Sequence, residues 1–184
     1  NSAPETRSFT LEGGRSVRYE NALQTMFSFS GAATLRLAPT AGSIMITSRT
    51  YNDQPQGTYG QFTPGFLASR AVAAGTTARL VQLSRSADGG QGFRTNLGLV
   101  NTTATTISLE VKLFTGAGTP LGTRTYSLRA YESIQRNDVF NEVGAGNVDD
   151  GFATVRCTTE GGRFLAFSSV IDNRSGDPIY LPAR

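Results

Sequence analysis

The chain repeats itself. Thr6-Arg7-Ser8-Phe9-Thr10-Leu11 aligns with Thr123-Arg124-Thr125-Tyr126-Ser127-Leu128, Ser16-Val17 with Ser133-Ile134, and Leu23 with Phe140, all at an offset of 117 residues. After a gap of three residues the match resumes at an offset of 120. Gly31-Ala32-Ala33-Thr34-Leu35-Arg36 then pairs with Gly151-Phe152-Ala153-Thr154-Val155-Arg156, and Ser48 to Asp53 with Ser168 to Asn173. Self-similarity of this kind signals modules in series. The two copies are unequal. Residues 1–65 hold counterparts only of the closing part of a module, whereas residues 66–184 hold a fuller one. The first copy has no counterpart, ahead of Thr6, of the strand-like runs Ala78–Leu83, Phe93–Asn101 and Ile107–Phe114. Either upstream sequence supplies them, or something else completes the copy.

The local pattern is β throughout. In Ile107-Ser108-Leu109-Glu110-Val111-Lys112-Leu113 apolar and polar residues alternate at period two, as in a strand with one buried face. The turn Thr115-Gly116-Ala117-Gly118-Thr119-Pro120 follows, and Leu121 to Leu128 reads as the second arm of a hairpin. Further strands are expected at Arg7–Leu11, Ser16–Tyr19, Ala33–Leu37, Ser43–Thr50, Thr58–Phe62, Ala78–Leu83, Thr95–Asn101, Ser133–Asn137, Phe152–Cys157 and Arg163–Ile171. Their short lengths and the turn signals between them are those of a sandwich. Helix is expected only as single turns, at Asn21–Phe27 and Asp138–Val143. The fold class is therefore all-β: two related antiparallel, Ig-like β-sandwich modules, the first (1–65) incomplete and the second (66–184) fuller. Arg85 to Gly92 reads as a flexible loop.

Composition narrows the chemistry. The 184 residues include no histidine and no tryptophan, and one cysteine, Cys157. The usual general base and the commonest zinc ligand are thus missing. A lone cysteine forms no internal disulfide, and Cys157, in an alternating run, reads as a small core residue. The formal net charge is +3, with Lys112 the only lysine and the arginines dispersed. No basic run suited to nucleic acid is present, and no apolar stretch is long enough to span a membrane.

Few residues suggest a site. Asp172, Asn173 and Asp177 bring oxygen ligands together at short spacing, a candidate calcium loop whose alternative is an ordinary Asx turn. No cofactor is expected. Asp138, Glu142, Asp149 and Asp150 would have to face one another across a cleft to act as a hydrolytic carboxylate pair. Tyr51, Tyr59, Tyr126, Tyr131 and Tyr180 are candidates for stacking on sugars or packing at a protein interface. Asn101-Thr102-Thr103 and Asn173-Arg174-Ser175 match the N-glycosylation pattern and are expected to be polar turns.

Phe93-Arg94-Thr95-Asn96-Leu97-Gly98-Leu99-Val100-Asn101, Asp138-Val139-Phe140 and the ending Ser168-Ser169-Val170-Ile171-Asp172-Asn173 resemble a β-sandwich repeat of large secreted bacterial proteins. That repeat is often found in tandem and without assigned activity. Ser48-Arg49-Thr50-Tyr51-Asn52-Asp53 and Gly57-Thr58-Tyr59-Gly60-Gln61-Phe62 resemble the ending of a preceding repeat. More distantly, the strand order is similar to the small sandwich of sensory-rhodopsin transducer proteins. The first resemblance implies an extracellular or cell-surface location and neighbouring modules or self-association as partners. The expected function is a non-catalytic structural or adhesive protein, one form being a filament or surface assembly joined by strand complementation. Asn1–Leu11 or a C-terminal strand would be the donated piece. The alternatives are a polysaccharide-binding accessory module of a secreted enzyme and, last, a hydrolase using loop carboxylates.

Overall fold

The alternation over Ile107–Phe114 does what period two dictates: Ile107, Leu109, Val111 and Leu113 are buried, and Lys112 between them is exposed. The structure, a computed structural model, describes residues 5–55 and 57–184. Among these, the chain forms one short helix, α1 (Ala22–Phe27), and eleven strands. They are β1 (Thr47–Gln54), β2 (Gly57–Pro64), β3 (Val72–Ala73), β4 (Thr77–Arg85), β5 (Phe93–Asn101), β6 (Ile107–Phe114), β7 (Pro120–Leu128), β8 (Ser133–Arg136), β9 (Val148–Cys157), β10 (Arg163–Asp172) and β11 (Pro178–Pro182). Single 3-10 turns lie at Ala68–Arg70 and Asn141–Val143. No described helix is long and apolar enough to cross a membrane.

Two antiparallel sheets make an all-β sandwich. One has the order β4-β9-β6-β7, and the other the order β11-β10-β5-β8. Side chains from the two inner faces meet between them. Leu80, Val111 and Val155 of the first sheet and Leu97, Leu99 and Phe164 of the second belong to one buried cluster. Cys157 is part of that core, as its place in the alternation suggests. β3 and β11 share one edge of β10, with Val72 opposite Phe164 and Pro182 opposite Phe167. Just past β11, Arg184 and Arg79 exchange backbone hydrogen bonds of 2.7 and 2.9 Å, which closes that side of the sandwich along β4. A bulge between Leu80 and Leu83, with Gln82 at φ 60°, interrupts the ladder of β4 with β9.

Three buried polar side chains tie loops to this frame. Asn101 is 1% exposed, and its amide donates to the carbonyls of Thr105, Leu128 and Arg129. Its Oδ1 accepts from the Thr103 backbone N–H and hydroxyl. The glycosylation pattern at Asn101 therefore sits on a side chain already committed inside the fold. Thr95 Oγ1 donates to the Ser84 carbonyl and accepts from the Ser84 N–H, linking β5 to β4. Asn96 Oδ1 accepts from the N–H of Asp138, which holds that residue at φ 46° at the start of the 3-10 crossover between β8 and β9. This crossover falls where the sequence predicts a helical turn between sheets.

By its contacts the chain separates into a unit ending at Ala38 and a unit spanning Pro39–Arg184. Within the first, the predicted strands Arg7–Leu11, Ser16–Tyr19 and Ala33–Leu37 do not form; these residues join no ladder. α1 is where a helical turn is predicted, but left-handed residues, Asn21 and Ser28, close it at both ends. Local contacts hold what order there is: Phe9 meets Tyr19 edge-on at 5.8 Å, and Arg7 donates to the Met26 carbonyl and lies 6.0 Å from the Phe27 ring centre.

Within the second unit, β1 and β2 form a separate hairpin. The predicted strand Ser43–Thr50 thus begins later and runs further than expected. Gln61 of β2 accepts a hydrogen bond from the Ser169 hydroxyl on the outer face of β10. Beside it Phe66, Tyr180 and Phe167 stand in a row, at 6.4 and 5.3 Å between successive ring centres. The Phe167 ring lies over Gly98, where a Cβ would come within 2.1 Å of it.

Replacing Asn101 with alanine strands three carbonyls, that of the buried Leu128 among them, and the Thr103 donors at once. We expect a loss on the order of 3 kcal/mol, from the cost of leaving buried polar groups unpaired. Urea denaturation followed by circular dichroism measures it, and a loss under about 1 kcal/mol would show that water replaces the amide.

Candidate functional site

The oxygen-rich loop after β10 is a turn whose ligand atoms point to different partners. Asp172 Oδ1 accepts from the Arg174 N–H at 2.8 Å and Oδ2 from the Ser175 hydroxyl at 3.0 Å. These bonds, the backbone one foremost, hold its carboxyl below the usual range. Ser175 Oγ in turn accepts from the Asp177 N–H. Asn173 leaves this group altogether. Its Oδ1 accepts from Arg94, and its Nδ2 donates to the Gln91 carbonyl in the Arg85–Gly92 loop. Among the described residues, no three His, Cys, Asp or Glu side chains are grouped to hold a metal.

The candidate carboxylates are likewise dispersed. Arg85, with a largely buried side chain, reaches Asp138 at 3.0 Å, the Gly146 carbonyl and the Asn141 amide oxygen. One guanidinium thereby ties β4 to the 3-10 crossover and the loop after it. Glu142 accepts from the Tyr126 hydroxyl at 2.7 Å and from Arg136 at 2.8 Å, and the same guanidinium lies 5.5 Å from the Tyr126 ring centre. Asp149 and Asp150 line a cleft of about 320 Å³ with Arg85, Phe93 and Asn147. Asp138 and Glu142 are each bonded to a different arginine rather than left free to act as a carboxylate pair.

The tyrosines do not share a platform. Tyr126 is held by Glu142, and Tyr180 packs between Phe66 and Phe167. Tyr59 is half-buried in β2, whereas Tyr51 and Tyr131 are exposed, Tyr51 with the Arg49 guanidinium 5.5 Å from its ring centre. Sequence reading missed Glu142 as the partner of Tyr126. The signal was present in the 16-residue spacing only once β7 and the crossover are known to be adjacent.

The largest chemical feature is instead apolar exposure. No described side chain before Ala71 is buried. Among the described residues, twelve of the sixteen large exposed hydrophobic side chains lie between Phe9 and Leu67, in about a third of the chain. At matching positions of the repeat, burial differs. Leu11 is 38% exposed while its counterpart Leu128 is 0%; Leu35 is 46% exposed while Val155 is 0%. At the same offset of 120, Ile44 is 37% exposed and Phe164 0%. Ser48 and Thr50 are exposed as well, although Ser168 and Val170 at the matching places of β10 are buried.

No family model matches the chain, and no curated protein does. A solved structure described as "Crystal Structure of Thermotoga maritima 1070" is similar over 60% of this chain and 93% of its own, with 9% identity and a TM-score of 0.44.

Two phenols give the sandwich a measurable alkaline limit. Burial pushes Tyr180 up to about 12, and burial with the Glu142 hydrogen bond pushes Tyr126 up further. A phenol whose value is raised by folding contributes stability below its unfolded value, about 10, and loses it as pH rises toward the folded value. Urea midpoints should therefore fall between about pH 10 and 12, the window set by Tyr180. The Tyr180→Phe protein should show a shallower fall. Equal slopes for the two proteins would mean that Tyr180 is as solvated in the folded state as in the unfolded one.

Proposed function

We propose that this chain is a non-catalytic structural or adhesive β-sandwich protein, working outside the cell or at its surface. Its residues 5–65 serve as an acceptor for strands from another polypeptide. The observation that carries this reading is the difference between the two copies: side chains buried in the sandwich are exposed at the matching positions ahead of it. Strand-like sequence without a ladder leaves backbone groups and an apolar face available at the same place. β-strand addition satisfies both at once. Joined head to tail, such contacts are heterologous and grow a filament where the rotation does not close.

A structural role is also supported by the state of the polar groups. Asp138, Glu142 and Asp172 hold the fold's own arginines and turns. The extracellular setting follows from the resemblance to repeats of secreted bacterial proteins. The proposed division into modules at residue 65 follows the repeat, while the contact boundary at Ala38 reflects that the closing hairpin β1–β2 already packs near β10 and β11.

Light scattering across a dilution series, with electron microscopy of the concentrated sample, tests this reading. Scattering mass should rise with concentration and fall back when Leu11 and Leu35 are both replaced by aspartate. A monomer at all concentrations, with residues 5–65 protected from hydrogen exchange, would sink the acceptor role.

A further inference from the structure

We propose that the Asp177–Pro178 peptide bond is a self-cleavage site, cut by the Asp177 side chain acting on its own backbone carbonyl. This goes beyond the structural role above and does not depend on it. The sequence has seven prolines, and only Pro178 follows an aspartate. The bond closes the turn between β10 and β11, where Asp177 is exposed and Pro178 opens its strand opposite Ile171. Two features of the turn prepare it. The Asp172 N–H donates to the Asp177 carbonyl at 3.0 Å, so a backbone donor already sits on the oxygen that becomes negative when the carbonyl carbon is attacked. The Asp177 N–H is held by Ser175 Oγ at 3.1 Å, while among the described residues the Asp177 carboxyl has no bonded partner. Ser175 is itself fixed by Asp172 Oδ2, and Gly176, at φ 75°, donates to the Asp172 carbonyl at 2.8 Å. The backbone is thus fixed around one uncommitted carboxyl.

The step is an acyl transfer. A carboxyl oxygen of Asp177 bonds to the backbone carbonyl carbon of the same residue and closes a succinic-anhydride ring. The carboxyl proton passes to the Pro178 nitrogen, which carries no N–H in the chain and leaves as a secondary amine when the C–N bond breaks. Water then opens the anhydride to two carboxyls. The net reaction consumes one peptide bond and one water. Because a proton is used, the step belongs to mild acid. The charged side chains about the turn are Asp172 and Arg174 within it, Arg94 of β5, which reaches Asn173, and Asp88, whose backbone carbonyl also faces Asn173. The Arg174 N–H first and the Ser175 hydroxyl next hold Asp172 below the usual carboxyl range, so the turn stays organised in acid that protonates ordinary aspartates. The cut does not scatter the product. Pro178 to Pro182 remain paired with β10, Ala183 donates to the Ala166 carbonyl, Arg184 exchanges backbone bonds with Arg79, and Tyr180 stacks on Phe167. The result is a nicked sandwich in which β11 is held by contacts alone, and its departure would open that stretch of the β10 edge.

The test incubates the intact chain at the lowest pH where its circular dichroism remains native, beside a sample unfolded in urea at the same pH. Denaturing mass spectrometry should show fragments ending at Asp177 and starting at Pro178, whereas native mass spectrometry should show the whole chain plus one water. Folded protein should be cut at least ~10-fold faster than unfolded, since one preorganised donor on a developing oxyanion contributes that much or more. Hydroxylamine should trap the anhydride as a hydroxamate at Asp177. Asp177→Asn should abolish the cut in the folded and urea samples alike, so its effect does not hinge on folding. Ser175→Ala, which releases the Asp177 N–H, should slow the folded rate and leave the unfolded rate unchanged. No cut at this bond, an equal or faster cut in urea, or a cut that persists in Asp177→Asn overturns the proposal.

Discussion

Val155 is buried because β4 and β6 flank the strand that carries it and the second sheet covers its inner face. A β-strand has three debts of this kind, one to each lateral neighbour and one to a facing layer, and none can be met within the strand itself. β9 and β10 are inner strands of their sheets, and both meet all three. The rest of the sandwich follows from them. Asn101 and Asn96 fix loops between the sheets and Thr95 ties β5 to β4, so that the inner faces of β9 and β10 remain opposed. Residues 6–38, by contrast, join no ladder, although parts of them match β7 and β9 in sequence.

The sandwich was legible in the sequence wherever one face is buried. The alternation in Ile107–Phe114, the hairpin turn at Thr115–Pro120 and the arms near Phe93–Asn101 and Arg163–Asp172 all appear within a residue or two of expectation. The single helical turns near Asn21–Phe27 and Asp138–Val143, at corresponding places of the two copies, were also legible. Arg7–Leu11 and Ala33–Leu37 were not, since alternation states which side of a strand would be buried but not whether a partner exists. The β4 bulge escaped because Val81-Gln82 breaks the period without a glycine or proline to mark it. The polar candidates were hardest. Asp172 and Asn173 are adjacent in sequence, yet a strand end directs them to different loops. Tyr126 and Glu142 are distant in sequence but share a hydrogen bond.

The outer face of the β11-β10-β5-β8 sheet is more occupied than that of a solvent-facing sheet. Gly98 leaves room for the Phe167 ring, which stacks on Tyr180, while Gln61 from the preceding hairpin meets Ser169. A glycine in mid-strand weakens a sheet unless something packs closely there. Hairpin β1–β2 packs on the same outer face through the bond between Gln61 and Ser169.

The shared edge of β10 has a topological consequence. β11 leaves that edge beside Ala166 and β3 occupies it beside Phe164, so the module's beginning and end abut. A fold with abutting ends is indifferent to where its backbone is opened, so what makes Val72–Pro182 one unit is its shared core, with Phe140 and Phe164 both 0% exposed, rather than the order in which the chain visits it.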